Sequence, residues 1–220
     1  MVQPDEIIRS HRKTLTISID CNNRLIVRAP YSCGKERIFA FLREKEAWIL
    51  RKKAERAGTG IQLPPENLHG YRFLLLGEYC TVYLTKERKI GYDQSAHALY
   101  LPEKNTQKRL VQWLKENAGR ILTDVTARTA QKMQTSYKSV TISSARSKWG
   151  SCSFDNALRY SYRLLYAPKD VIEYVVAHEL AHTRYKNHSA QFWAEVAKYQ
   201  PNWKEKRAWL KRHGALMGIF

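Results

Sequence analysis

The segment from Val175 to His182, with the sequence VVAHELAH, most strongly limits how this chain can fold. It places the pattern HExxH behind an apolar run, which is typical of a helix packed into a core. At 3.6 residues per turn, His178 and His182 lie on one helix face, about one turn apart, so both imidazoles can bind one zinc ion. Glu179, next to the first histidine, is then placed to act as a general base toward water activated by the metal.

A third histidine extends the pattern to HELAHTRYKNH. His188 lies six residues after His182, and Asn187 tolerates the left-handed backbone conformation that ends a helix and turns the chain back. Three protein ligands with one open position are typical of a catalytic zinc rather than a structural one. The pattern therefore predicts that His178, His182 and His188 bind one Zn²⁺ ion, although the same ligands can also hold another divalent metal.

The same histidine spacing occurs in metzincins, but two features exclude that class. Tyr185 stands where metzincins have glycine, and the methionine that follows the motif, Met217, lies near the C-terminus. We interpret the Tyr185 side chain as packed or solvated, with hydrogen-bond donation to an oxyanion as the alternative. Cys152 is interpreted as a small buried hydrophobe, with a chemical role as the alternative.

Alternating apolar residues predict a β-hairpin between Arg12 and Arg28, with its turn at Cys21 to Asn23. A helix is predicted to follow, capped by Ser32 and ending at about Arg56. A loop marked by Gly58 to Gly60 and by Pro64–Pro65 then predicts the boundary between an N-terminal lobe, residues 1–60, and a second domain, residues 61–220. One continuous domain is the alternative.

The second part of the sequence alternates strand and helix patterns, and its last helix carries the histidine motif. Pro168 suits the first position of that helix. The predicted elements before it are a hairpin of Phe73–Leu76 and Tyr79–Leu84, a strand at Ala98–Leu101, a helix from about Asn105 to Met133, and strands at Ser139–Ser143 and Leu158–Leu165. After the motif, Phe192, Trp193 and Val196 are predicted to be core, and Trp203–Arg212 an amphipathic helix or, alternatively, a nucleic-acid contact.

The composition indicates a folded protein that attracts anions. Lys and Arg number 38 and Asp and Glu 20, which gives a net charge of +18, and 44% of residues are hydrophobic. This charge favours nucleic acid, nucleotides, anionic lipid or acidic substrates without choosing among them. The four cysteines form no C-x-x-C pair, which excludes zinc ribbons and thioredoxin-like motifs and favours reduced thiols.

No apolar stretch of about 18 residues is present, and the first twelve residues run into charge. The sequence therefore predicts neither a membrane span nor a secretion signal. A cytoplasmic location without a membrane partner is expected.

Several segments together resemble a known family. They are HELAH (178–182), NHSAQFW (187–193), WGSCS (149–153) and LLYAPKDVIEYVV (164–176). The chain resembles the YgjP-like metallopeptidase domain, a relative of the SprT and WLM zinc proteases. This resemblance implies an α+β fold, with a zincin-like catalytic domain that carries the HExxH helix and follows the hairpin-and-helix lobe. It also implies three histidine zinc ligands, a catalytic Glu179, and a WGSC loop close to the motif helix. Lys148 and Ser161 depart from the family pattern, which usually has arginine and asparagine there.

Three functional hypotheses follow. The leading one is a zinc-dependent hydrolase, a cytosolic metallopeptidase that acts on a peptide or protein with Glu179 as general base. The second is a metal-dependent nucleotide or phosphate-ester hydrolase, because the basic charge would gather phosphates. The third is a nucleic-acid-associated protease or DNA-binding protein.

Overall fold

In the computed structural model, residues 2–20, 23–57 and 64–219 are described, and they form a mixed α and β fold. The chain divides into two units, Met1–Leu63 and Pro64–Phe220. Part of the predicted hairpin turn, Cys21 and Asn22, and the predicted Gly58–Gly60 loop lie outside the described residues. Within those ranges, no helix is both long and apolar enough to cross a membrane.

The first unit begins with a three-stranded sheet of β1 (Glu6–Ser10), β2 (Thr16–Ile19) and β3 (Leu25–Pro30), in the order β1-β3-β2. β2 and β3 form the predicted antiparallel hairpin. β1 pairs in parallel with β3. The sequence pattern did not predict β1. Central β3 supplies the core of this unit because its apolar residues are buried, among them Leu25, Val27 and Ala29.

Two helices follow, α1 (Lys35–Glu44) and α2 (Glu46–Ala57), where one continuous helix was predicted. The predicted cap at Ser32 is also wrong, because Gly34 occupies the N-cap position. The helices separate at Lys45, whose φ of −98° and ψ of 6° depart from helical values. Ile38 and Leu42 of α1 and Ile49 of α2 all pack into the core of this unit, which a break at that point permits.

The second unit opens with β4 (Arg72–Leu75), β5 (Glu78–Thr85), β6 (Gly91–Asp93) and β7 (Ala98–Pro102), in the sheet order β4-β5-β7-β6. β4 and β5 form the predicted hairpin. Its two turn residues, Leu76 and Gly77, both have positive φ, of 55° and 88°, which is the type I′ geometry that suits tight hairpins. The short strand β6 was not predicted.

The long helix α3 (Thr106–Met133) agrees with its prediction and packs against the motif helix. A second sheet follows, with β8 (Ser139–Ser143), β9 (Gly150–Cys152) and β10 (Ala157–Ser161) in the order β8-β10-β9. The predicted strand Leu158–Leu165 is wrong beyond Ser161, because a 3-10 turn spans Tyr162–Tyr166. The Ser161 hydroxyl accepts a hydrogen bond from the Arg163 backbone N–H and so caps that turn. β9 was predicted as a turn-rich loop.

Three helices complete the chain: α4 (Lys169–Ala181), α5 (Ala190–Tyr199) and α6 (Trp203–Arg212). α4 carries the histidine motif and is buried along most of its length. Pro168 is its N-cap, with φ of −55° and ψ of 152°, so the helix begins one residue later than predicted. α5 begins at a standard cap, in which the Ser189 hydroxyl accepts a hydrogen bond from the Phe192 N–H.

Candidate metal centre

The three histidines of the motif come together at the end of α4. His178 lies in the last turn of α4, His182 is the residue at its C-terminal cap, and His188 lies in the loop before α5. Their ligand nitrogens all lie within 4.8 Å of one another. The Nε2 atoms of His178 and His188 are 3.2 Å apart.

A tight turn after α4 brings His188 back to the helix. The N–H of Thr183 donates to the Leu180 carbonyl at 3.0 Å, and the N–H of Tyr185 donates to the Ala181 carbonyl at 3.0 Å. Asn187 does not have the positive φ that the sequence suggested, so the expected left-handed residue is not what reverses the chain. The reversal comes from this turn and from the α5 cap that follows.

The His182 ring is oriented by its own loop. Its Nδ1 lies 2.9 Å from the Tyr185 carbonyl oxygen, and since a carbonyl can only accept, Nδ1 donates. The Nε2 lone pair is thereby left free for a metal, which is the usual arrangement at metal-binding histidines. Tyr185 therefore contributes its backbone to the site, and its phenol is not among the groups that line the cleft.

Burial favours the neutral form of His178 and His182. It lowers the pKa of His178 to about 3, with smaller contributions from the neighbouring histidines. Burial also lowers the pKa of His182. Neutral imidazoles are the form that binds metal, so these two need lose no proton at neutral pH. The buried Nδ1 of His178 has no hydrogen-bond partner within the described chain, and the ring is held by packing against Phe192, with centroids 4.9 Å apart.

The donor set fits a zinc ion. Two nitrogens bound at about 2.0 to 2.1 Å with tetrahedral angles are about 3.3 to 3.4 Å apart, close to the observed 3.2 Å between His178 and His188. Three imidazoles with an open side match a catalytic rather than a structural site. The three predicted ligand residues are thus brought together in one place.

Glu179 points into the same cleft but is only 6% exposed. Burial raises its pKa to about 8, and the positive charge of Lys148 opposes that shift. Its side chain lies directly against β9: a Cβ built on Gly150 would be 2.8 Å from Glu179 Cγ and 2.8 Å from Oε1. The WGSC loop therefore lies close to the motif helix, as the resemblance implied.

The cleft has a volume of about 300 Å³. It is lined by Lys148, Gly150, Ser151, Cys152, His178, Glu179, His182, Lys186 and His188. Lys186 donates hydrogen bonds to Asn156 Oδ1 at 2.6 Å and to the Ser153 carbonyl at 3.1 Å. Burial raises the pKa of the Cys152 thiol, which disfavours the nucleophilic thiolate.

Four residues of this lining were not predicted as individual site residues: Lys148, Gly150, Ser151 and Lys186. Gly150 had a readable signal, since a glycine between strand-forming residues often marks a close approach of another group. Lys186 had none, because lysines are common throughout this sequence, whereas Lys148 directly precedes the WGSC segment that the resemblance places near the motif helix.

The aromatic residues after the motif support the site from α5. Phe192 and Val196 are fully buried, as predicted. Trp193 is only partly buried, contrary to the prediction of a core residue. Its ring stacks on His188, with centroids 5.6 Å apart, and on Trp203 of α6, at 4.1 Å.

Comparison with known proteins gives one family. The family described as YgjP-like, metallopeptidase domain, matches residues 13–213. No curated protein matches the chain. Among solved structures, the metallopeptidase zymogen of Pyrococcus abyssi abylysin is similar at 22% sequence identity, over 41% of this chain and 93% of that one, with a TM-score of 0.38.

Proposed function

Because the chain belongs to the family of YgjP-like metallopeptidase domains, we propose that it is a zinc-dependent peptidase with Glu179 as its general base. The proposed zinc ligands are His178, His182 and His188. The observation that carries the proposal is the meeting of three imidazoles with one buried carboxyl group in a single cleft. A cytosolic location stays a prediction from the sequence.

When bound, zinc supplies a Lewis acid that polarises a carbonyl and increases the acidity of water. The chain's own contribution to the chemistry is proton transfer by Glu179. Its carboxylate accepts the proton of the attacking water and returns it to the leaving nitrogen. A pKa near the working pH suits a group that must do both, and the burial of Glu179 moves its pKa in that direction.

The position of β9 supports an extended peptide as substrate. β9 lies at the edge of its sheet, where it pairs with β10, and Gly150, Ser151 and Cys152 line the cleft. An edge strand offers backbone N–H and C=O groups with which an extended peptide can pair. A peptide paired with β9 would run past Glu179, because Gly150 directly contacts that side chain.

The substitution Glu179→Gln tests the proposal. It keeps the size of the side chain and removes its ability to accept a proton, so zinc content should stay near one ion per chain while peptide hydrolysis falls by at least about 10²-fold. Hydrolysis of an unbiased peptide mixture, read by mass spectrometry, and metal analysis of the same samples provide the measurement. Unchanged hydrolysis in the variant would refute the role of Glu179.

A second candidate, a nucleotide or phosphate-ester hydrolase, is favoured by the charge of the cleft. Two lysines, Lys148 and Lys186, line it, against the single carboxyl group of Glu179. Cations of this kind can stabilise phosphate oxygens, and phosphate esters are within the chemistry of an activated water.

Release of phosphate or pyrophosphate from a panel of nucleoside triphosphates separates the two candidates. If the second is correct, Lys148→Gln should raise the KM for nucleotides and leave zinc content unchanged. Absence of turnover with zinc, manganese and magnesium between pH 6 and 9 would eliminate it. A nucleic-acid partner and a metal other than zinc stay predictions from the sequence.

A further inference from the structure

One exposed face of α6 is purely cationic. Lys204, Arg207 and Lys211 are spaced by three and four residues, which places them on one side of the helix. Together with Trp203 and Ala208 they line a groove of about 620 Å³, the α6 groove, whose charged lining residues are all basic. None of the three forms an ion pair with a carboxylate in the described part of the chain.

The other charged residues of α6 behave differently. Lys206 donates to Gln200 Oε1 at 2.6 Å and lies 4.0 Å from Asp170, so its charge is partly used within the fold. Glu205, the acidic residue of the helix, does not line the groove. Arg212, at the end of α6, is exposed and does not line the groove, so three of the four α6 cations without an ion pair in the described residues lie on the groove face.

An aromatic stack joins the α6 groove to the metal centre. The Arg207 guanidinium lies over the Trp193 ring, 5.3 Å from its centroid. Trp193 stacks on Trp203, which lines the groove, and also on His188, the third candidate ligand. A substrate whose reacting bond lies beside His188 could therefore continue along these rings into the groove.

We propose that the α6 groove binds an acidic segment of a polypeptide substrate outside the bond that is cut. This inference rests on the proposed peptidase function. Lys204 and Lys211 are about 10 Å apart along the helix axis, the length of about three extended residues, so a short run of Asp or Glu can meet all three cations. A polypeptide fits better than nucleic acid because the proposed reaction is on a peptide bond, and because Trp203, the one aromatic side chain among the described residues that line the groove, is partly buried and has one ring face covered by Trp193.

The chain offers a matched control for the test. Lys108 and Lys115 of α3 are also exposed, also seven residues apart, and also line a surface groove. Two double variants are compared: the α6 pair, Lys204→Gln/Lys211→Gln, and the α3 pair, Lys108→Gln/Lys115→Gln. Both lose the same charge from similar helical positions. Circular dichroism and thermal unfolding would establish that both retain the fold.

Binding is measured in the full chain carrying Glu179→Gln, by fluorescence anisotropy of a labelled twelve-residue peptide with four consecutive glutamates. At about 50 mM salt, the α6 pair should weaken binding about tenfold and the α3 pair by less than about twofold. Raising the salt to about 0.5 M should abolish the difference. Equal weakening by the two pairs would overturn the proposal, and so would tighter groove-dependent binding of a single-stranded oligonucleotide.

Hydrolysis by the chain with Glu179 intact separates this proposal from the peptidase function. If both hold, the α6 pair raises KM for a substrate with the acidic segment, leaves kcat unchanged, and has no effect on a neutral substrate. Groove-dependent binding without hydrolysis of either substrate would leave the α6 groove established and refute the peptidase. Hydrolysis with equal KM for both substrates would refute the groove.

Discussion

Replacing Gly150 with alanine would place a methyl carbon 2.8 Å from both Cγ and Oε1 of Glu179. Carbon atoms in favourable contact are about 3.5 to 4.0 Å apart, so the Glu179 side chain or β9 would have to move by about 0.7 Å. Helix α4 and β9 are both packed at this point, and the flexible part of the contact is the Glu179 side chain. The carboxylate is therefore expected to leave its position.

A shift of this size has two measurable costs. Misplacement of a catalytic group by about 1 Å lowers rates by about 10²-fold, and overpacking of a core site costs about 1 to 3 kcal/mol of stability. The expected result for Gly150→Ala is a loss of about 10²-fold in kcat with zinc retained, because the three atoms nearest to the added carbon all belong to Glu179 and none to a histidine.

Two comparisons make this prediction specific. Gly214→Ala adds the same methyl group where no atom lies within 4 Å, so its kcat should equal that of the parent chain. In a Glu179→Ala background the clashing atoms are gone, and Gly150→Ala should then cost less than about 0.5 kcal/mol in urea unfolding. Full kcat in Gly150→Ala, or the same stability loss in both backgrounds, would refute the positioning of Glu179 by β9.

Other predictions concern metal, pH and stability. His188→Ala should lower zinc affinity by more than about 10²-fold in a chelator competition, because one of three ligands is lost and the change exceeds the 10- to 100-fold typical of outer contacts; unchanged affinity would exclude His188 as a ligand. In metal-free protein, burial raises the pKa of Glu179 to about 8, so above pH 6.5 the folded chain keeps a proton that the unfolded chain has lost. The Glu179 proton should therefore lower stability by about 2 kcal/mol from pH 6.5 to 8, offset by about 0.4 kcal/mol because the unfolded chain still loses the His178 proton near pH 6.5, and Glu179→Gln should remove the fall. Gly119 lies within α3, and a Cβ at this position would be an ordinary 3.9 Å from Ile142 of β8. Gly119→Ala should therefore raise stability by about 0.4 to 1 kcal/mol in thermal unfolding, because alanine reduces the conformational entropy of the unfolded chain. A loss of stability would show that the added carbon is not accommodated at this helix face.

The meeting of the three histidines could be predicted from the sequence because its geometry is local. His178 and His182 are related by the repeat of one helix, and His188 follows within a short loop. The mechanism of that loop was predicted incorrectly, since Asn187 is not left-handed, yet the outcome was the same. A tight turn that satisfies the last carbonyls of α4 brings the third histidine back just as well.

The surroundings of the site could not be predicted because they depend on distant pairings. β9 is three residues long, too short for an alternating pattern, and forms because β10 offers it an edge. The need for glycine at position 150 becomes evident only once β9 packs against α4, where a Cβ would clash with Glu179. The parallel pairing of β1 with β3 and the break at Lys45 likewise follow from a shared core rather than from local propensity.

Burial of this site favours the neutral form of both its histidines and its carboxyl group, which has opposite consequences for their proposed roles. It keeps His178 neutral, which readies the ring for a metal, and it also keeps a proton on Glu179, which a general base must first release. A divalent cation on the histidines resolves this conflict, since its charge favours the carboxylate form of a neighbouring acid. Lys148 acts in the same direction from the edge of the cleft. In the metal-free site Glu179 is therefore largely protonated near neutral pH, and a bound divalent cation would shift it toward the carboxylate that the proposed reaction needs.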